Sequence, residues 1–129
     1  LKAELTKNGY RLLPVKQGYS ACSTAVVDDY SAITSDSGIA KALLSEGIDV
    51  LLITPGYIAL EGYDYGFIGG ACGKLSKNTL VFTGKLDGHP DREKILNFLI
   101  KKQIFPIFLT DLPVFDAGGI VPLREESNK

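Results

Sequence analysis

The sequence predicts an α/β protein of repeated strand, strand, helix, strand (ββαβ) units. Three observations carry this: an internal repeat, two helical patterns that each lead into a short apolar run, and a hairpin-like pair ahead of each helix. The stretch Gly9-Tyr10-Arg11-Leu12-Leu13-Pro14-Val15-Lys16-Gln17-Gly18-Tyr19 lies without a gap on Gly47-Ile48-Asp49-Val50-Leu51-Leu52-Ile53-Thr54-Pro55-Gly56-Tyr57, adding 38. Tyr30-Ser31-Ala32-Ile33-Thr34 lies on Thr79-Leu80-Val81-Phe82-Thr83, adding 49. Leu52-Ile53-Thr54 lies on Phe108-Leu109-Thr110, and Gly62 on Gly118, adding 56. The step from 49 to 56 places seven extra residues around Asp87-Gly88-His89-Pro90, and insertions in repeats fall in loops.

The elements follow in order. Residues 23–28 and 30–34 read as a hairpin turned at Asp28-Asp29, and residues 73–76 and 79–83 as another turned at Lys77-Asn78. Residues 37–46 read as a helix: Ser35, Asp36 and Ser37 offer capping oxygens, Ile39, Ala40, Leu43 and Leu44 form an apolar stripe, and Gly47 supplies the left-handed stop. In the later helix Pro90 suits the first position, Asp91 and Glu93 the positive end of the dipole, and Lys101 and Lys102 its negative end, with Ile95, Phe98 and Leu99 facing inward. The runs 50–53 and 105–109 read as strands buried on both faces, although Pro106 argues that the second is not fully paired. Residues 1–8 read as a helix tail closed by Gly9, and 10–15 as a third strand.

The expected organisation is the end of a truncated unit over 1–21, complete units over 22–66 and 67–123, the latter with a longer strand-to-helix loop, and a polar tail over 124–129. The chain has no Met and starts at Leu1, so processing or a longer parent chain is expected. Its 129 residues, 45% hydrophobic, supply enough apolar material for one globular core. A net charge of -1 with interspersed signs argues against a nucleic-acid face, which needs clustered Lys and Arg. The apolar runs are too short to span a bilayer and no signal peptide is visible, so a cytoplasmic protein without membrane association is the default. Two cysteines, Cys22 and Cys72, are too few for a disulfide framework and lack metal-ligand spacing, so reduced thiols and no metal are expected. No G-x-G-x-x-G opens a helix, so no cofactor is expected either.

Four phrases carry a family resemblance: Cys22-Ser23-Thr24-Ala25-Val26-Val27-Asp28, Ile33-Thr34-Ser35-Asp36-Ser37-Gly38-Ile39-Ala40, Gly66-Phe67-Ile68-Gly69-Gly70-Ala71-Cys72-Gly73 and Asp111-Leu112-Pro113-Val114-Phe115-Asp116-Ala117-Gly118-Gly119. With the repeat, they make residues 1–123 resemble an uncharacterised bacterial branch of the pentein superfamily of guanidine-modifying enzymes. The resemblance implies an α/β propeller of five ββαβ modules, of which this chain holds about two and a half, roughly the C-terminal half. It also implies Cys-nucleophile chemistry on a small cationic guanidino ligand, with a His as acid and base and carboxylates on the cationic nitrogens. The superfamily's enzymes place His before Cys and the Cys near the C-terminus. Here the single histidine, His89, follows both cysteines, and Asp116-Ala117-Gly118-Gly119-Ile120-Val121-Pro122 holds no Cys, so that signature is not intact.

The candidate catalytic residues are Cys72, in the glycine-rich Gly69-Gly70-Ala71-Cys72-Gly73, and His89, in the insertion loop. Their plainer readings are a small buried residue repeated from Cys22 and a surface turn entering a helix. Glu61, Asp64 and Asp116 are candidate ligand carboxylates or solvated turn residues, and Tyr57, Tyr63 and Tyr65 add aromatic surface nearby. The favoured reading is a non-catalytic or ligand-binding pentein-like domain; the alternative is part of a deiminase-like hydrolase using a Cys nucleophile. An open sheet also invites pairing with a second copy, a homodimer completing the ring.

Overall fold

The computed structural model describes residues 5–7, 10–14 and 23–124, with side-chain surroundings over 23–120. In order they form β1 (Leu5–Lys7), β2 (Tyr10–Pro14), β3 (Thr24–Asp28), β4 (Ser31–Thr34), α1 (Ser37–Ser45), β5 (Asp49–Leu52), a 3-10 turn (Ile68–Gly70), β6 (Cys72–Ser76), β7 (Thr79–Phe82), α2 (Arg92–Lys101), β8 (Phe105–Phe108) and β9 (Ile120–Arg124). The strands make three small sheets, β3-β4-β5, β6-β7-β8 and β1-β2-β9. The protein is thus mixed α/β.

The first two of these sheets are built alike. An antiparallel hairpin gains a parallel third strand, and the helix supplies the crossover a parallel pair requires. Each hairpin carries a bulge at the same place, between Val26 and Asp28 and between Lys74 and Ser76. Thr24 pairs with Thr34 and Cys72 with Phe82, so equivalent hairpin positions stand 48 apart. The Thr34 to Thr83 match, at 49, is therefore one residue out of register, a slip that turns every strand side chain to the opposite face. The third strands do stand 56 apart, Ser31 facing Asp49 and Thr79 facing Phe105. Two residues separate β4 from α1 and nine separate β7 from α2, while α2 is ten residues long against nine for α1.

β9 begins 48 residues after β6, as β6 begins 48 after β3, and the three strands lie successively beside one another. Their approach is close. A Cβ at Gly73 would collide with the carbonyl of Ile120, and Lys74 on β6 donates across to the Val27 carbonyl of β3 at 2.6 Å. The main core joins Val27 and Ile33 of the first sheet, and Ile53 just past β5, to Leu80, Phe82, Ile95, Phe98 and Leu99 of the second sheet and its helix. A second cluster joins Leu75 and Val81 to Ile120, with Ile107 and Leu109 against it. Each buried side chain of this size contributes about 1.5–3 kcal/mol.

Several expectations are corrected. Leu5–Lys7 is a strand paired antiparallel with β2, not a helix tail: three residues cannot meet the cost of a helical nucleus, whereas a neighbouring strand offers partners at once. β2 in turn pairs antiparallel with β9, which extends to Arg124. The first hairpin turns at Asp29 and Tyr30, because the Asp28 carboxylate accepts the Tyr30 N–H at 2.9 Å. α2 starts at Arg92 with Asp91 as its cap, leaving Pro90 outside. β5 and β8 are not buried on both faces; each is the outer strand of its sheet, with residues ranging from half-buried to exposed. The α1 stripe is likewise open, with Ala40 alone buried.

Gly73→Ala is expected to lower stability by about 1–3 kcal/mol, because the Ile120 carbonyl leaves no room for a methyl group. Urea unfolding measures it, and an unchanged midpoint would contradict the close approach of β6 and β9.

Candidate functional site

Cys72 opens β6 and faces inward. Its thiol donates to the Ile68 carbonyl at 3.2 Å, and burial, reinforced by the Asp116 carboxylate, pushes it up to about 12. Nucleophilic attack needs the thiolate, so at neutral pH this group is a packed, protonated core side chain. Cys22 lies outside the described residues.

Asp116 is a clip between two loops. One carboxylate oxygen accepts the Phe67 N–H at 3.0 Å and the other the Gly118 N–H at 2.8 Å, while its own N–H donates to Ala59 at 2.7 Å. The carboxylate rests against Gly66 and Gly70, where any Cβ would run into it. The Gly70 carbonyl accepts from both Ala117 and Gly119. These glycines therefore make room for an aspartate rather than for a ligand's phosphate.

His89 lies elsewhere, in the loop before α2, and is buried, only 4% exposed, not a surface turn residue as expected. Its Nδ1 accepts the Asp91 N–H at 3.0 Å, so the neutral ring carries its proton on Nε2, which has no partner among the described residues. The ring packs against Tyr57 with centroids 5.7 Å apart. The physical reason for the burial is that the chain turns inward at Leu86, whose carbonyl takes the His89 N–H. Burial holds the imidazole below its ordinary value, opposed by the Asp91 carboxylate.

Glu61 and Asp64 are exposed on the loop after β5, together with Tyr57, Tyr63 and Tyr65. The structure thus brings Cys72 and Asp116 together, keeps His89 among Tyr57, Leu86 and Asp91, and leaves Glu61 and Asp64 at the surface.

Sequence reasoning missed the tertiary roles of Asp91 and Thr83. Asp91 accepts the Thr54 N–H at 2.6 Å, chiefly for which reason its carboxyl is held below the usual range. Thr83 donates to the Phe115 carbonyl at 2.7 Å and accepts the Phe115 N–H at 3.0 Å. Nothing local signals either contact, since their partners stand 37 and 32 residues away. Among the described residues no helix is long and apolar enough to cross a membrane, and no group of three or more His, Cys, Asp or Glu is placed to hold a metal.

A family model described as a family of unknown function (DUF6873) matches residues 1–121. No curated protein and no solved structure matches.

His89 titrates below its ordinary 6.5 in the fold, so the unfolded chain binds the proton first as pH falls. Stability is thus full above that value and declines below it; Asp91, whose carboxyl is also depressed, adds a further loss as pH falls from 3.8 through its folded value. Melting temperature should drop between about pH 7 and about pH 5, and His89→Asn, which keeps an acceptor for the Asp91 N–H, should flatten that slope. Asp116→Ala should cost on the order of 2–3 kcal/mol, because two partly buried N–H groups lose a charged acceptor; guanidinium unfolding reads it.

Proposed function

The chain belongs to DUF6873, a family of unknown function, and from its own residues we propose that it is a pentein-like domain that binds a small ligand rather than turning one over. The observation that carries this reading is the state of Cys72. A thiol pushed up to about 12, hydrogen-bonded to a backbone carbonyl inside the core, cannot serve as the nucleophile that guanidine chemistry requires. Asp116 is engaged by two backbone N–H groups, so it is a structural clip and not a substrate carboxylate.

The repeated ββαβ order, with successive first strands side by side, supports the pentein-like part of the reading. A small planar cation of the guanidino type would meet the exposed Glu61 and Asp64 carboxylates beside the rings of Tyr63 and Tyr65, which suit both bidentate pairing and stacking on a π face.

A panel of arginine, agmatine and methylated guanidines tests this. At least one compound should raise the melting temperature, corresponding to about 2.7 kcal/mol at a hundredfold excess over Kd, with no release of ammonia or urea. Glu61→Gln with Asp64→Asn should abolish the shift and Cys72→Ala should leave it. Turnover that disappears in Cys72→Ala would overturn the reading.

A further inference from the structure

Asp91 stands where two ββαβ units meet. Its carboxylate accepts the Thr54 N–H at the exit of β5 at 2.6 Å, and its own N–H donates to His89 Nδ1 at 3.0 Å. Both contacts run through the one residue that precedes α2, so a shift of its backbone carries the carboxylate with it. The carboxylate is engaged by Thr54 and makes no capping bond to its own helix. At the other end of α2, Lys102 holds Asp49 at 2.5 Å, and Ile95 and Phe98 lie in the core between the two ties.

The state of His89 decides whether the Asp91 end stays closed. The Asp91 N–H needs an acceptor, and Nδ1 is one only while the ring is neutral. A second proton turns Nδ1 into a donor that faces another donor in a buried setting. Rotating the ring offers no remedy, because both nitrogens of the charged form donate. The other nitrogen supplies no anchor either, since Nε2 lacks an acceptor among the described residues. A charged ring in this seat beside Tyr57 would therefore hold two unmet donors, and it is relieved by reaching water or the Asp91 carboxylate.

We propose that His89 and Asp91 form a proton-operated latch between the two units: protonation of His89 draws Asp91 off the Thr54 N–H and frees the segment from Thr54 to Tyr57 together with the entry of α2. Lys102 and the apolar core keep the exit of α2 in place, so the helix hinges rather than detaches. Gly56, at φ +100 with open space about it, lets the freed segment turn. Of the groups around the ring, Asp91 favours its charged form, and Tyr57 packs on it from the loop after β5. α2 brings Lys94, 3.9 Å from the other Asp91 oxygen, and Arg92, which is engaged by Asp87 and Glu93. The latch is closed above the ordinary imidazole value of 6.5 and opens as pH falls through the lower value that burial gives the ring. It goes beyond a general loss of stability in acid, because it opens while both sheets remain folded. It is independent of the ligand-binding reading.

His89 is the chain's single histidine, so its ring proton signal reports its titration without ambiguity. Proton NMR of the whole chain, from about pH 8 to about pH 5, follows that signal while hydrogen exchange is read at the Thr54 and Leu109 amides. Leu109 donates to the Phe82 carbonyl at 3.0 Å and serves as the reference, since intrinsic exchange changes with pH for both alike. Across the His89 transition the protection of Thr54 should fall at least about tenfold relative to Leu109. In His89→Asn, which keeps an acceptor and takes up no proton in this range, the ratio should stay constant; should that variant not fold, the parent titration decides alone. Thr54 protection that is unchanged through the transition, a loss that is equal at Leu109, a ring that stays neutral until the whole chain unfolds, or the same loss in His89→Asn overturns the proposal.

Discussion

The hydrogen bond from the Thr54 N–H to the Asp91 carboxylate joins the exit of β5 to the entry of α2, and the stacking of one ββαβ unit on the next depends on it. A three-stranded mixed sheet has two faces and a single helix of its own, so one face is left to be covered from outside. Here the cover is the next unit: its first strand lies beside β3, and the residues flanking its helix are tied to the two ends of β5. Lys102 on Asp49 closes the far end of the same helix. The two polar ties flank an apolar stripe, which fixes the angle of the helix as well as its distance.

The glycine-rich segments follow from the same crowding. Where successive first strands approach, a side chain would strike backbone, hence Gly73 against Ile120. Where the loop before β6 meets the loop before β9, Gly66 and Gly70 leave space for the Asp116 side chain and its N–H partners. Cys72 is enclosed by this arrangement, and its thiol takes the nearest carbonyl as a partner. The residues that most resemble a reactive centre in the sequence are thus explained by packing around the strand crossing. Chemistry-bearing groups that remain at the surface, Glu61 and Asp64, lie on the loop that leaves β5, among tyrosines.

The hairpins, both helices and both third strands were legible because each has a local cause: apolar spacing, a capping Asp36, a left-handed Gly47. Strand register was not legible, since the Thr34 and Thr83 identity outweighed the cross-strand pairing of Thr24 with Thr34 and of Cys72 with Phe82, which only the folded hairpins reveal. The candidate site was legible in residue type and not in state. His89 sits in a turn sequence that reads as exposed, yet tertiary contacts bury it against Tyr57.

By itself, then, the sequence determined the ββαβ order and its repetition, because periodicity and turn chemistry act between near neighbours. Only the tertiary structure decided which faces are covered, that Cys72 is held as a thiol and that Asp116 is a clip. Those outcomes depend on desolvation and on hydrogen bonds between segments far apart in the chain, such as Phe67 with Asp116 across 49 residues, which no local pattern encodes.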